Sequence, residues 1–242
     1  LGSFDSDQAR PIYADICRLP ANDIAQIHRY LDLGAKLEIC HASVDLFAAD
    51  AVREVQAFDV KKPILLAESG AVEPCHSGPF KLYEKDREGL ILHDVLFAPF
   101  FVGAAGPGHI WHWDSYVAKN DLWWHFGRFA QAVAGINPPE EAFRVERVEN
   151  PRLRIYVLCG KKTTLAWCRD SQVTWQSALA EGRQAETLRA QKVTLPHPRA
   201  GGKIAAVAYD PWSGTSTPLT IEQGAVVLPP FTRSMVVRMT AE

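Results

Sequence analysis

The sequence lacks a surplus of charge of either sign. Its 242 residues include 26 Lys and Arg against 28 Asp and Glu, which gives a formal net charge of -2 at pH 7. A basic surplus is the usual feature of proteins that bind nucleic acid or anionic membranes. The composition indicates neither partner, and we expect no nucleic acid and no membrane to be bound.

Cysteine is scarce and irregularly spaced. The five residues are Cys17, Cys40, Cys75, Cys159 and Cys168. An odd, scattered set argues against a disulfide framework, and there is no Cys-x-x-Cys pair to indicate zinc. One bridge, for example Cys159–Cys168, stays open beside the prediction of free, mostly buried thiols. His93, His109 and His125 have no Glu, Asp or Cys partner at ligand spacing, so no metal site is predicted, and no cofactor is expected.

Long apolar runs are also missing, and none approaches the length needed to span a membrane. The chain begins Leu-Gly-Ser-Phe, with neither an initiator Met nor a signal peptide. This beginning indicates a cut N-terminus. The missing leader therefore does not identify the compartment.

The sequence does have an ordinary globular composition, 47% hydrophobic and 22% charged, in two successive patterns. From about Asp23 to Gly135, short apolar runs alternate with helical stretches, which predicts a parallel sheet covered by helices. Residues 136–143 break this pattern and are interpreted as a linker. Short strands separated by turns follow, and they predict a small antiparallel β-sandwich.

The first pattern is resolved into three βα units. Strands are predicted over residues 23–30, 63–69 and 108–114, and helices over 48–59, 86–103 and 120–135. Within the second helix, Pro99 is expected to introduce a bend and Gly103 to end the helix.

The second predicted strand ends abruptly in a carboxylate, Glu68. A buried carboxylate is costly unless it is paired or hydrogen-bonded, so Glu68 is either held by partners or used in chemistry. His28 and Tyr30 end the first strand and share one side of it. Trp111 and Trp113 share a face of the third strand. Because the carboxyl ends of parallel strands meet at one edge, we predict that these five residues form a site.

Each of these residues also has a structural interpretation. Glu68 fits a carboxylate pinned to a nearby Arg or Lys, and His28 fits a satisfied core histidine. Trp123 and Trp124, on the next helix, are interpreted as packing residues. His76 lies in the loop after Glu68, where substrate contacts are expected, but it is interpreted as a solvated loop residue.

The segments IHRY, KPILLAESG and GAAGPGHIWHWDSYV resemble the last three strand segments of clan A glycoside hydrolases, most closely the family 5 cellulase and mannanase group. YDPWSG and LPPFTRSMVVRM resemble the C-terminal domains of these enzymes. The resemblance implies an α/β fold: the C-terminal half of a (β/α)8 TIM barrel over 1–136, followed by a small antiparallel β-sandwich over 144–242. It also favours a secreted or periplasmic location.

The resemblance implies a retaining β-glycoside hydrolase that acts on an oligo- or polysaccharide. Glu68 would be the nucleophile, flanked by His28 and by Tyr30, whose hydroxyl would donate to the carboxylate. Trp111 or Trp113 would form the floor of the sugar subsite. A retaining mechanism needs a second carboxyl group about 5 Å away. In the family that acid/base follows the fourth strand, so the upstream half of the barrel, from the same polypeptide or another chain, is an expected partner.

Other interpretations remain open at this point. If the chain is active alone, Glu73 or Asp114 would have to be the acid. The first rival function is a non-catalytic carbohydrate-binding protein on the same scaffold. The second is an interaction module whose sandwich binds protein or cell wall.

Overall fold

Residues 2–242 are described by the computed structural model, and the chain divides into two units, the first ending at Phe126 and the second beginning at Gly127. The first unit mixes helices with a parallel sheet, and the second is built mainly from antiparallel sheet. These elements confirm the predicted α/β class. The barrel segment over 1–136 and the sandwich over 144–242 stay predictions.

The first unit alternates helices and strands. Its elements are α1 (Ala9–Arg18), β1 (Ala25–Leu31), α2 (Val44–Gln56), β2 (Ile64–Ala71) and α3 (Leu90–Phe101), and α4 (Trp124–Ala132) crosses into the second unit. β1 and β2 form a two-stranded parallel sheet. Both strands were predicted, and so was the helix between them.

The two helices that follow β1 and β2 differ in how they are buried. In α2, buried residues recur at helical spacing, among them Phe47, Val52 and Val55, and leave a polar face. All twelve residues of α3 are buried. Asp86 caps α3, because its carboxylate accepts hydrogen bonds from the first two backbone N–H groups of the helix at 2.7 and 2.9 Å.

The third predicted strand, 108–114, is corrected to an irregular segment beside β2. Its one bridge joins Ile110 to Ser69 in parallel sense. Three backbone N–H groups donate to β2 carbonyls at 2.8–2.9 Å: Ala105 to Ile64, His109 to Leu66 and Trp111 to Ser69. The backbone N–H of Gly108 instead donates to the Val95 carbonyl. That diversion interrupts a regular ladder, and from Trp113 the chain coils into a short π-helical turn.

Three helices differ from the predictions, either in being present at all or in the residue at which they begin. α1 lies where no element was predicted. The helix predicted over 120–135 begins only at Trp124, because Asp121 adopts a left-handed φ of 52° that interrupts helical geometry before it. The helix predicted over 48–59 begins earlier, at Val44.

The second unit contains two antiparallel sheets after a single helical turn, α5. Its elements are α5 (Pro138–Glu141), β3 (Arg144–Val148), β4 (Leu153–Cys159), β5 (Thr163–Asp170), β6 (Lys192–Thr194), β7 (Ile204–Asp210), β8 (Thr215–Leu219), β9 (Ile221–Glu222), β10 (Ala225–Val227) and β11 (Ser234–Ala241). The six-stranded sheet has the order β3-β4-β5-β11-β7-β8, and the three-stranded sheet has the order β6-β10-β9. Apolar residues of both sheets share one buried cluster, which includes Val157, Val226 and Val237.

All five cysteines are free thiols, and only Cys75 is exposed. This confirms the prediction of free, mostly buried thiols, and the bridge left open between Cys159 and Cys168 is not formed. Across residues 2–242, no helix is both long enough and apolar enough to cross a membrane.

Candidate active site at the end of the parallel strands

Glu68 lies in β2 opposite His28 of β1, directly after an irregularity in the register. Ile27 pairs with Leu66 but His28 pairs with Glu68, so β2 contains one extra residue, Ala67. Such a bulge redirects the side chains that follow it and is common beside active sites. The Glu68 side chain is 26% exposed. The Glu68 carboxylate, three residues before the end of β2 at Ala71, therefore reaches solvent.

Tyr30 is the closest partner of Glu68. Its hydroxyl donates a hydrogen bond of 2.6 Å to Oε1 of Glu68, while Nδ1 of His28 lies 3.7 Å from Oε2. The Tyr30 ring is buried. Burial, together with the hydrogen bond to Glu68, raises the pKa of Tyr30 far above its usual value. The phenol therefore stays protonated at neutral pH and acts as a permanent donor to the carboxylate.

The Trp-rich stretch presents its tryptophans to solvent and its histidine to the protein. Trp111 and Trp113 are 57% and 59% exposed, whereas His112 between them is buried. The His112 ring lies 6.3 Å from the Tyr30 ring and 5.4 Å from the Tyr83 ring, measured between centroids. The structure thus brings His112 to the site, a residue that the sequence analysis did not select.

Tyr83 links the end of β2 to His112. Its hydroxyl accepts the Ala71 backbone N–H at 2.6 Å and lies 3.3 Å from Nδ1 of His112. Burial raises the pKa of Tyr83 and lowers the pKa of His112. The phenol therefore keeps its proton and can donate a hydrogen bond to Nδ1 of a neutral imidazole, in the tautomer that carries the ring proton on Nε2.

Gly70 makes this approach of Tyr83 possible. Its φ is +134°, a conformation that L side chains rarely adopt. A Cβ at this position would lie 2.7 Å from the Tyr83 hydroxyl and 3.1 Å from the Ile110 side chain. The glycine two residues after Glu68 therefore has a steric reason.

The two carboxylates considered as an acid within this chain are engaged elsewhere. Glu73 accepts the Lys81 backbone N–H at 2.9 Å and contacts its ammonium at 3.1 Å. Asp114 accepts the Ser115 backbone N–H at 2.6 Å. These hydrogen bonds lower the pKa of both carboxyl groups. A general acid needs a raised pKa, so neither residue has the environment of one.

Trp123 and Trp124 are exposed, at 48% and 37%. The Trp124 ring stacks on the His125 ring with centroids 3.7 Å apart, and the interpretation of both tryptophans as packing residues stays a prediction. The Trp123 ring stacks on the Phe126 ring with centroids 6.0 Å apart, so the two form part of an exposed aromatic surface. Among residues 2–242, no group of three or more His, Cys, Asp or Glu side chains could hold a metal ion.

No protein-family model matches the sequence, and no curated protein matches it. Among solved structures, the chain is similar to a GH30 endoxylanase from Clostridium papyrosolvens, with 12% identity and a TM-score of 0.49 over 94% of this chain and 52% of that one. It is similar to a protein described as a glycoside hydrolase, with 12% identity and a TM-score of 0.46 over 93% and 54%. A third is a beta-porphyranase of glycoside hydrolase family 86 from the human gut bacterium Bacteroides plebeius, with 11% identity and a TM-score of 0.35 over 91% and 41%.

These three solved structures are all described as glycoside hydrolases. The chain spans about half the length of the first two and less of the third. At identities of 11–12% and TM-scores below 0.5, these likenesses identify neither the family nor the activity of the chain.

Proposed function

We propose that the protein is a retaining β-glycoside hydrolase in which Glu68 is the nucleophile. The observation that carries the proposal is the 2.6 Å hydrogen bond from the Tyr30 hydroxyl to Glu68, at the end of the parallel strands. A retaining enzyme needs one ionised carboxylate held in a fixed orientation against the anomeric carbon. A protonated phenol that donates to one oxygen stabilises the negative charge and fixes the carboxylate plane.

The two oxygens of Glu68 have different surroundings, which suggests different tasks. Oε1 accepts the Tyr30 hydroxyl. We assign the attack to Oε2, which lies 3.7 Å from Nδ1 of His28. In this step Oε2 forms a bond to the anomeric carbon, the glycosidic bond breaks, and the leaving oxygen takes a proton from a second carboxylic acid.

We propose that this acid lies on the upstream half of a (β/α)8 barrel, from the same polypeptide or another chain. Glu73 and Asp114 have lowered pKa values and do not fit the role. Within residues 2–242, β1 pairs with no strand other than β2. A parallel pair with a single bridged segment beside it is a small part of a barrel, and further strands would complete it.

The proposed substrate is an oligo- or polysaccharide of the cellulose or mannan type. Trp111 and Trp113 expose more than half of their surface, and an indole face stacks on the apolar face of a pyranose ring. The second unit fits the proposed β-sandwich, because residues of its two antiparallel sheets share one buried cluster.

The variant Glu68→Gln tests the proposal in the assembly that contains the upstream half. The amide is isosteric but cannot attack, so turnover of aryl β-glycosides should be lost while the protein stays folded. Glu38→Gln, at a 97% exposed side chain of the same unit, is the matched control and should keep full activity. NMR of the first-formed sugar should show retained anomeric configuration. Unchanged turnover in Glu68→Gln would remove this residue from the mechanism.

A second candidate is a carbohydrate-binding protein without catalysis on the same scaffold. The exposed tryptophans, Trp111, Trp113, Trp123 and Trp124, favour it because they offer stacking surface without requiring a second carboxylate. In that case oligosaccharides would bind equally well to the wild type and to Glu68→Gln, and neither protein would hydrolyse them.

A further inference from the structure

A second carboxylate–imidazole pair lies beside Glu68. Asp32 directly follows β1 and is 1% exposed. His76 belongs to the loop that follows β2, and its Nδ1 lies 3.3 Å from Oδ2 of Asp32. The His76 ring meets the Tyr30 ring edge-on, with centroids 4.6 Å apart. The Tyr30 hydroxyl also binds Glu68, so Tyr30 contacts both the His76 ring and the proposed nucleophile.

We propose that His76, held by Asp32, is a substrate-contact residue of the Glu68 site, and that Asp32 is its positioning residue. This inference rests on the proposed function. The ligand chemistry it implies is a carbohydrate hydroxyl next to the sugar carbon that Glu68 attacks. His76 contributes orientation and specificity, and it takes no part in bond formation.

Backbone hydrogen bonds fix the position of the buried Asp32 carboxylate. Its Oδ1 accepts the Gly34 N–H at 2.8 Å and the Cys75 N–H at 2.9 Å. A buried carboxylate is costly unless its oxygens are satisfied, and here the partners come from two different loops. Asp32 therefore ties the loop of His76 to the end of β1, and Oδ2 is left for the imidazole.

The loop backbone is strained where it carries His76. Cys75 and His76 both have a φ of 59°, and consecutive left-handed non-glycine residues are unfavourable. Gly34 accommodates the loop, because a Cβ there would lie 2.4 Å from the Cys75 nitrogen. Strain of this kind persists only where surrounding contacts impose it, and it is concentrated at ligand-binding sites. A merely solvated loop would relax, so the strain favours a contact role for His76 over the interpretation as a solvated residue.

The hydrogen bond to Asp32 decides what the other ring nitrogen can do. Since a carboxylate accepts at Nδ1, the neutral His76 ring carries its proton there and leaves Nε2 as an acceptor. The side chain is 40% exposed, so a ligand can reach it. An acceptor beside the nucleophile matches a sugar hydroxyl, which is a good donor.

The test uses the 242-residue chain and two readouts. Long-range proton–nitrogen NMR should show the Nδ1–H tautomer for His76, and Asp32→Asn should abolish that preference. Cello-, xylo- and manno-oligosaccharides are then titrated, and at least one should shift the His76 ring signals. His41, whose Nδ1 faces the exposed Glu38, serves as the internal control and should not shift.

The variant His76→Gln should weaken the binding of that oligosaccharide about tenfold, the cost of roughly one hydrogen bond. Binding is followed by tryptophan fluorescence. Cys75 is the one exposed thiol among the described residues, so its reaction with a thiol reagent should slow when the ligand is bound. This measurement does not depend on Asp32→Asn folding.

The outcomes separate the inference from the proposed function. If Glu68→Gln abolishes turnover in the complete assembly, but no sugar shifts His76 and His76→Gln binds normally, the inference is wrong and the proposed function stands. If Glu68→Gln keeps its turnover while a sugar shifts His76, the proposed function is wrong and the contact is supported. If none of the sugars shifts His76, the inference is overturned regardless of the result at Glu68.

Discussion

The variant Tyr30→Phe removes a single oxygen atom from the candidate site and so isolates the contact between Tyr30 and Glu68. A hydrogen bond to a charged group contributes about 1.5–3 kcal/mol to stability. The Glu68 side chain is 26% exposed, so water replaces part of the lost bond. We therefore expect the free energy of unfolding at pH 7 to fall by about 1.5 kcal/mol, at the lower end of that range.

A double-mutant cycle assigns this loss to the pair. Urea denaturation is measured for the wild type, Tyr30→Phe, Glu68→Gln and the double variant. Because either single change removes the charged hydrogen bond, the coupling free energy should be about 1 kcal/mol. Tyr116→Phe is the matched control, since its hydroxyl donates to Asp86 at the same 2.6 Å in the same unit. Combined with Glu68→Gln, it should be additive to within about 0.5 kcal/mol.

A coupling below about 0.3 kcal/mol, the scatter expected of independent sites, would refute the reasoning. The 2.6 Å contact would then contribute no stability, and the Glu68 carboxylate would be held by something other than Tyr30. The proposed function would lose the observation on which it depends. Equal coupling in the Tyr116 control would show that the cycle reports general destabilisation instead of the pair.

The two remaining predictions concern acid stability and the second unit. Burial lowers the pKa of His112 from 6.5, so its contribution to stability is complete above that pH and is lost as the pH falls toward the folded-state pKa. His112→Gln should flatten the decline in unfolding free energy below pH 6.5, and an unchanged slope would contradict this. The fragment 139–242 should unfold cooperatively. The longer fragment 127–242 should melt at a higher temperature, because it keeps two hydrogen bonds to α4. In these, Arg238 donates to the Ala132 carbonyl and the Tyr209 hydroxyl donates to Gln131. Equal melting temperatures would show that the α4 contacts add nothing, and a disordered shorter fragment would refute the predicted boundary.

The elements that the sequence reveals are those whose pattern survives without tertiary information. β1 and β2 are apolar runs of strand length, and α2 keeps a polar face at helical spacing. The short edge strands β3 and β8 carry no such signal in the sequence, because nearly all of their residues are exposed and no apolar alternation marks them. The prediction of a third parallel strand over 108–114 is wrong for a different reason. Its composition fits a strand, but the Gly108 backbone bonds to α3 instead of β2.

The residues of the candidate site also differ in whether the sequence alone reveals them. Glu68 and Tyr30 could be predicted because each lies in the C-terminal half of a predicted strand, and the parallel pairing of β1 and β2 brings these halves together. The contact of Asp32 with His76 joins residues 44 positions apart. It depends on a strained loop that neither periodicity nor composition indicates. The visible signal was slight: an acidic residue and a glycine two positions later, immediately after a predicted strand.

The end of β1 positions two groups of the candidate site at once, Glu68 and His76. Tyr30 and Asp32 are two residues apart, which in an extended chain places their side chains on one face. One holds Glu68 and the other holds His76, so a single stretch of backbone sets the position of both groups. Arg29, which directly precedes Tyr30, is buried on the opposite face. Its Nε donates to the Phe4 carbonyl at 3.1 Å, and its guanidinium pairs with Asp50 of α2. The rigidity of the candidate site is therefore imposed from behind the sheet, and a shift of β1 would displace the Glu68 carboxylate and the His76 imidazole together.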